Sequence, residues 1–215
     1  MESMSTLNSL LVVVLILNLF MLGSSRLRTV IRAVAMQGAT LAVLPLLVHQ
    51  RGGLEMFAIS GATVLLKGLV IPRMLLRALR EANIKREVEP LIGLLPSMVL
   101  GALATGFAMV FGQTLPLTGE HTMPLLVPAS LATVLVGFIL LTTRFKAISQ
   151  VIGYLVLENG IFIFGMLLLE AMPIVVEMGV LLDLFVGMFV ICIIVNHINR
   201  AFSSLDTRRL AELKE

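Results

Sequence analysis

Tryptophan is absent from these 215 residues, tyrosine and cysteine occur once each, histidine three times, and charged residues make up only 13% of the chain. Each shortage excludes something. A lone Cys192 can form neither a disulfide framework nor a Cys/His metal pattern, and inside an apolar run it reads as a small packing residue. Gly-rich phosphate loops, GxSxG elbows and His-x-x-Glu-type metal motifs are missing, so no catalytic site is visible in this chain. No stretch interleaves basic with aromatic residues, which removes nucleic acid as a partner despite a net charge of +3 and an isoelectric point near 9.5.

What is there is apolar: 58% hydrophobic residues and a mean hydropathy of +1.04. That composition belongs to an integral membrane protein whose principal surroundings are the lipid bilayer. The hydrophobic residues fall in blocks of the length that a rise of ~1.5 Å per residue needs to cross a ~30 Å hydrocarbon core. An all-α, polytopic fold of about seven transmembrane helices follows, over 4–22, 33–49, 54–72, 91–111, 125–142, 150–169 and 174–197.

Cations test that count. Arg26, Arg28 and Arg32 follow the first block, Arg73, Arg77, Arg80, Lys85 and Arg86 the third, Arg144 and Lys146 the fifth, and Arg200, Arg208, Arg209 and Lys214 the last. Fourteen of sixteen cations thus share one side; Arg51 alone stands on the other and Lys67 lies within the third block. By the positive-inside rule the N-terminus is outside and the C-terminus cytoplasmic, as in a multi-pass protein of a prokaryotic inner membrane. The first block has no cationic n-region before it and reads as a helix rather than a cleavable signal.

Residues 1–90 form an N-terminal three-helix part that ends in a polar stretch, 73–90, with Leu75, Leu76, Leu79 and Ile84 at helical spacing; it should lie along the cytoplasmic interface. Residues 91–215 form a C-terminal four-helix part. Pro90, Pro96, Pro124, Pro128 and Pro173 stand near helix starts, where a missing N–H costs little.

Two acids violate the hydrocarbon rule. Glu158 lies eight residues into the block 150–169, and Asp183 nine residues into 174–197. An intramembrane carboxylate costs roughly 2.5–3.5 kcal/mol on insertion scales and is by default a functional-site hypothesis. Joined by a short loop, the two helices are antiparallel neighbours, and desolvation favours the neutral acids, which is what a proton relay needs. Glu177, nearer the outer surface, is a further candidate. Lys67 either snorkels to water or pairs with a buried carboxylate and switches its proton affinity. The competing reading of the acids is structural: hydrogen-bonded residues that hold helices together, the role also assigned to Gln37 and Asn159. His49, His121 and His197 sit at helix ends as interfacial residues, and the thirteen methionines show no spacing that implies a metal path.

The strings Thr142-Thr-Arg-Phe-Lys-Ala-Ile-Ser-Gln-Val-Ile-Gly-Tyr-Leu-Val-Leu-Glu-Asn-Gly-Ile-Phe162 and Val176-Glu-Met-Gly-Val-Leu-Leu-Asp-Leu-Phe-Val186 carry a resemblance. They resemble the hydrogenase-4 component E family, membrane subunits of formate hydrogenlyase and related group 4 hydrogenase complexes. Residues 125–200 are in turn similar to chain K of respiratory complex I and to the small C subunit of Mrp-type antiporters. Anchored on Ile152-Gly153 and Asn159, Glu158 stands one turn beyond the buried Glu of the complex I chain, and Asp183 falls near its second acid. The resemblance implies a noncatalytic subunit whose acids belong to a proton-translocation axis. It implies antiporter-like membrane partners and peripheral hydrogenase and iron–sulfur partners, which would hold the nickel–iron and iron–sulfur centres; this chain holds no cofactor. A subunit of an Mrp-type cation/proton antiporter and a structural membrane scaffold are the alternatives.

Overall fold

The computed structural model describes residues 2–48, 60–61, 63–81, 91–115 and 125–168. Within them every regular element is helical: α1 Glu2–Gly23, α2 Leu27–Val48, a π-helical segment Val64–Val70 running into α3 Ile71–Glu81, α4 Leu94–Thr114, α5 Leu126–Thr143 and α6 Ala147–Leu168. Five helices, α1, α2, α4, α5 and α6, are long and apolar enough to cross a membrane. The chain is an integral membrane protein. The seventh block and the charged tail, with Glu177 and Asp183, lie outside the described residues.

The second helix begins at Leu27, six residues before the boundary expected from hydropathy. Leu27, Val30, Ile31 and Val34 recur at helical spacing and are buried, while Arg32 points out; the arginines lowered the local hydropathy without breaking the apolar stripe. The polar stretch after the third block is also helical where it is described. Leu75, Ala78 and Leu79 of α3 are buried against α2, and Arg73, Arg77 and Arg80 are exposed, the amphipathic arrangement that its spacing predicted.

One end of the bundle gathers the basic residues. The ends of α1 and α5 and the starts of α2, α4 and α6 meet there: Leu91 N–H donates to the Thr143 carbonyl at 2.8 Å, and Arg144 Nη2 to the Leu22 carbonyl at 3.0 Å. Leu75 and Leu79 join the same apolar cluster as Met21, Leu27 and Ile148, so α3 belongs to that end too. Of the nine described cations, all but Lys67 lie in these elements or in the short turns that join them.

A second cluster, around Leu11, Leu44, Ala129 and Ile163, fills the opposite half. Between the two clusters runs a polar layer. Asn18 lies between Leu15 and Met21 of α1, Gln37 between Val34 and Leu41 of α2, Thr133 between Ala132 and Val136 of α5, and Glu158 with Asn159 between Val156 and Ile163 of α6; all five are buried.

Close approach of α5 and α6 holds this layer in register. A Cβ on Gly137 would lie 2.5 Å from the Leu157 nitrogen, one on Gly153 2.6 Å from the Leu141 nitrogen, and one on Gly160 2.6 Å from the Val134 nitrogen. Small residues at such an interface let backbones touch where no hydrophobic effect drives association. Ser130 Oγ uses the approach, donating to the Gly160 carbonyl at 3.0 Å. Near Pro45, which interrupts α2's ladder, Ser60 Oγ likewise donates to the Ala42 carbonyl at 2.7 Å. Gly160→Leu is expected to force the two backbones apart and destabilise the bundle by about 1–3 kcal/mol, the usual scale of overpacking. A thermal unfolding scan in detergent reads this as a lowered midpoint; an unchanged midpoint would show that the close contact is dispensable.

Candidate functional site

Lys67 and Glu158 find each other. Lys67 Nζ lies 2.8 Å from Glu158 Oε1, with the side chains only 11% and 5% exposed. The lysine therefore does not snorkel to water; of the two roles open to it, the structure shows the ion pair. Phe162, one turn after Glu158 on α6, adds its ring face 5.2 Å from the same ammonium. Spacing of i and i+4 places carboxylate and ring on one side of the helix, so α6 grips the cation twice.

Local backbone brings Lys67 inward. It sits in the π-helical Val64–Val70, a rare winding that recurs at functional sites. Pro72, which lacks an N–H and crowds the carbonyl four residues back, stands two residues after the segment. Opposite stands Gly38 of α2, where an added Cβ would be 2.9 Å from Lys67 Cβ. Only a glycine lets the lysine stem pass this near to α2.

Beside the pair an amide ladder crosses the bundle. Asn159 Nδ2 donates to Gln37 Oε1 at 3.1 Å, Gln37 Nε2 to Asn18 Oδ1 at 2.8 Å, and Asn18 Nδ2 to Thr133 Oγ1 at 2.8 Å. Thr133 ends it by donating to the Ala129 carbonyl at 2.6 Å. Every donation runs from α6 towards α5, so the dipoles align and reinforce one another. Carboxamides have no titratable proton, and the ladder therefore orients helices and fixes Asn159 next to Glu158 rather than carrying protons. Among the described residues at this level, only Lys67 and Glu158 carry ionisable side chains. A small cavity lined by Val34, Lys67, Ile71, Pro72, Leu155 and Asn159 opens beside it on the side of α3 and the basic end.

Of the four residues expected to form a relay, two are thus brought together, while Glu177 and Asp183 fall outside the described residues. Gln37 and Asn159 make the structural hydrogen bonds expected of them. Asn18 and Thr133 escaped the sequence reading; the signal for Asn18 was its place alone in the apolar run Leu10–Met21. Arg144, expected simply as a loop cation, is buried.

The chain is 35% identical over 191 residues to the uncharacterized protein Rv0085 of Mycobacterium tuberculosis, covering 88% of this chain and 87% of that protein. It is 24% identical over 155 residues to hydrogenase-4 component E of Escherichia coli K12, covering 72% of each, and equally to that of Shigella flexneri. No protein-family model matches the chain, and no solved structure does.

Replacing Gln37 by Leu removes the central rung, leaving Asn18 Oδ1 without its donor and Asn159 Nδ2 without its acceptor. With intramembrane hydrogen bonds averaging ~0.6 and reaching ~1.7 kcal/mol, the expected loss is roughly 1–3 kcal/mol for the two. Denaturing-detergent titration measures it; no loss would mean that the ladder contributes nothing to packing.

Proposed function

This chain belongs to the family of the Mycobacterium tuberculosis protein Rv0085, and we propose that it is a noncatalytic membrane subunit of a hydrogenase-related complex in a prokaryotic inner membrane. Its distant likeness to hydrogenase-4 component E and its membrane helices support that membership. In this reading redox chemistry at nickel–iron and iron–sulfur centres of peripheral subunits drives proton movement, as in complex I-like and formate hydrogenlyase-type assemblies. Antiporter-like membrane subunits are the neighbours.

The observation that carries the chain's own role is the buried Lys67–Glu158 contact of 2.8 Å. An ammonium at this distance favours the carboxylate, while the apolar layers above and below disfavour it. A change that moves Lys67 away leaves Glu158 desolvated and drives it to take up a proton; return of the lysine expels that proton. The winding of Val64–Val70 and the glycine at position 38 give Lys67 its approach, and the cavity towards Ile71 and Pro72 gives the proton a way in from the basic end. That end is the cytoplasmic one in this reading, with the N-terminus outside, and Asp183 and Glu177, further along the sequence, extend the relay.

Glu158→Gln keeps the side chain's shape and removes its proton. Because the glutamine Oε1 can still accept a hydrogen bond from Lys67, the complex is expected to assemble at reduced stability and to turn over, while proton uptake into inverted vesicles per turnover falls about tenfold or more. Full proton movement with glutamine in place would assign Glu158 to packing alone. Recovery of the chain with antiporter subunits and no hydrogenase would move it to the Mrp-type class.

A further inference from the structure

The helix that carries Lys67 has a second, outward face. Val64–Val70 runs into Ile71–Glu81 without a break, Ile71 keeping helical φ and ψ and donating its N–H to the Leu66 carbonyl. Lys67 reaches inward from it to Glu158, and Leu75, Ala78 and Leu79 are buried. On the other side Leu65, Leu69, Arg73, Arg77 and Arg80 are exposed, Leu65 by 57% and Leu69 by 38%. Steps of three and four residues place these five on one stripe.

The stripe changes from apolar to cationic with depth. Lys67 is level with Glu158, which lies near the middle of the α6 span Ile148–Met166. For a helix along the membrane normal, a rise of ~1.5 Å per residue sets Arg73 roughly 9 Å, Arg77 roughly 15 Å and Arg80 roughly 20 Å from Lys67 towards the basic end. Half of the hydrocarbon core is ~15 Å. Leu65 and Leu69 therefore face acyl chains, Arg77 stands at the headgroup boundary, and Arg73 reaches that boundary by snorkelling.

The apolar side of α3 is already covered by α2, so the side turned to the surroundings is the cationic one. Within Ile71–Glu81 the one acid is the last residue, and no carboxylate separates the three guanidiniums in sequence. An acidic soluble domain would meet the arginines and leave Leu65 and Leu69 uncovered. An amphiphile with an anionic head and apolar tails matches both ends of the stripe.

We infer that this stripe binds an anionic phospholipid, its phosphate held by Arg73 and Arg77 in the positive field of Arg80 and its acyl chains lying along Leu69 and Leu65. Such a site requires a membrane-spanning chain but no proton relay at Lys67 and Glu158.

The full-length, delipidated chain in mild detergent is titrated with phosphatidylglycerol and with phosphatidylcholine of the same acyl chains, and bound lipid is counted by native mass spectrometry. The wild type is expected to bind phosphatidylglycerol about tenfold more tightly. Arg73→Gln should weaken that binding about fivefold, the effect of one cation near a membrane surface. Replacing Arg73 and Arg77 together by glutamine should remove the preference and leave phosphatidylcholine binding unchanged. Replacements of exposed side chains keep the fold, which an unchanged thermal midpoint checks. Arg26→Gln, at an exposed cation of the same end outside the stripe, should change nothing. Equal binding of the two lipids by the wild type would overturn the site, as would an Arg26→Gln loss as large as that of Arg73→Gln, the mark of a diffuse field. Release of a peripheral subunit from the native complex by the double replacement, with no lipid preference in the isolated chain, would assign the arginines to a protein partner instead.

Discussion

A charge in hydrocarbon must be neutralised from within the protein, and the Lys67–Glu158 pair is where this chain meets that requirement. At this depth water is excluded above and below by the two apolar clusters, and the contact between the two ions offsets part of the cost of desolvating each. The surrounding features serve this contact. Gly38 clears space for the lysine stem, the π-helical turn presents it, and Phe162 covers it. The ladder through Asn159, Gln37, Asn18 and Thr133 ties α6 to α2, α1 and α5 at the same level.

Polar groups are thereby sorted into two kinds of place. At the basic end, arginines of α2 and α3 face outwards, and only Arg144 turns in to cap α1. At mid-depth, amides satisfy one another in a directed chain and the Lys67–Glu158 pair stands at its α6 end. Structural and titratable roles thus fall on adjacent residues: Asn159 fixes the helix, and Glu158 beside it is the group that can change its proton.

Much of this was legible before the fold was known. Hydropathy located the five membrane-length helices among the described residues, and the distribution of arginines anticipated which of their ends come together. Glu158 and Lys67 stood out because each interrupts an apolar block. Their pairing did not, since periodicity describes one helix at a time and says nothing of which helices touch. For the same reason Arg144 passed for an ordinary loop cation, and Asn18, whose partners lie on α2 and α5, passed unnoticed. The start of α2 was misplaced because Arg28 and Arg32 mask a buried stripe in any average over neighbouring residues. Asp183 and Glu177 retain the standing that their sequence context supplies.

The most direct test of the account is a double-mutant cycle on Lys67→Met and Glu158→Leu, with unfolding free energy measured in detergent. If the two side chains neutralise one another in a buried contact, each single replacement strands a charge and costs about 3–5 kcal/mol, while the double replacement costs far less than their sum. Additive losses would contradict it, because they would show that Lys67 and Glu158 are stabilised by other partners and that the mid-membrane pair is not what holds this bundle together.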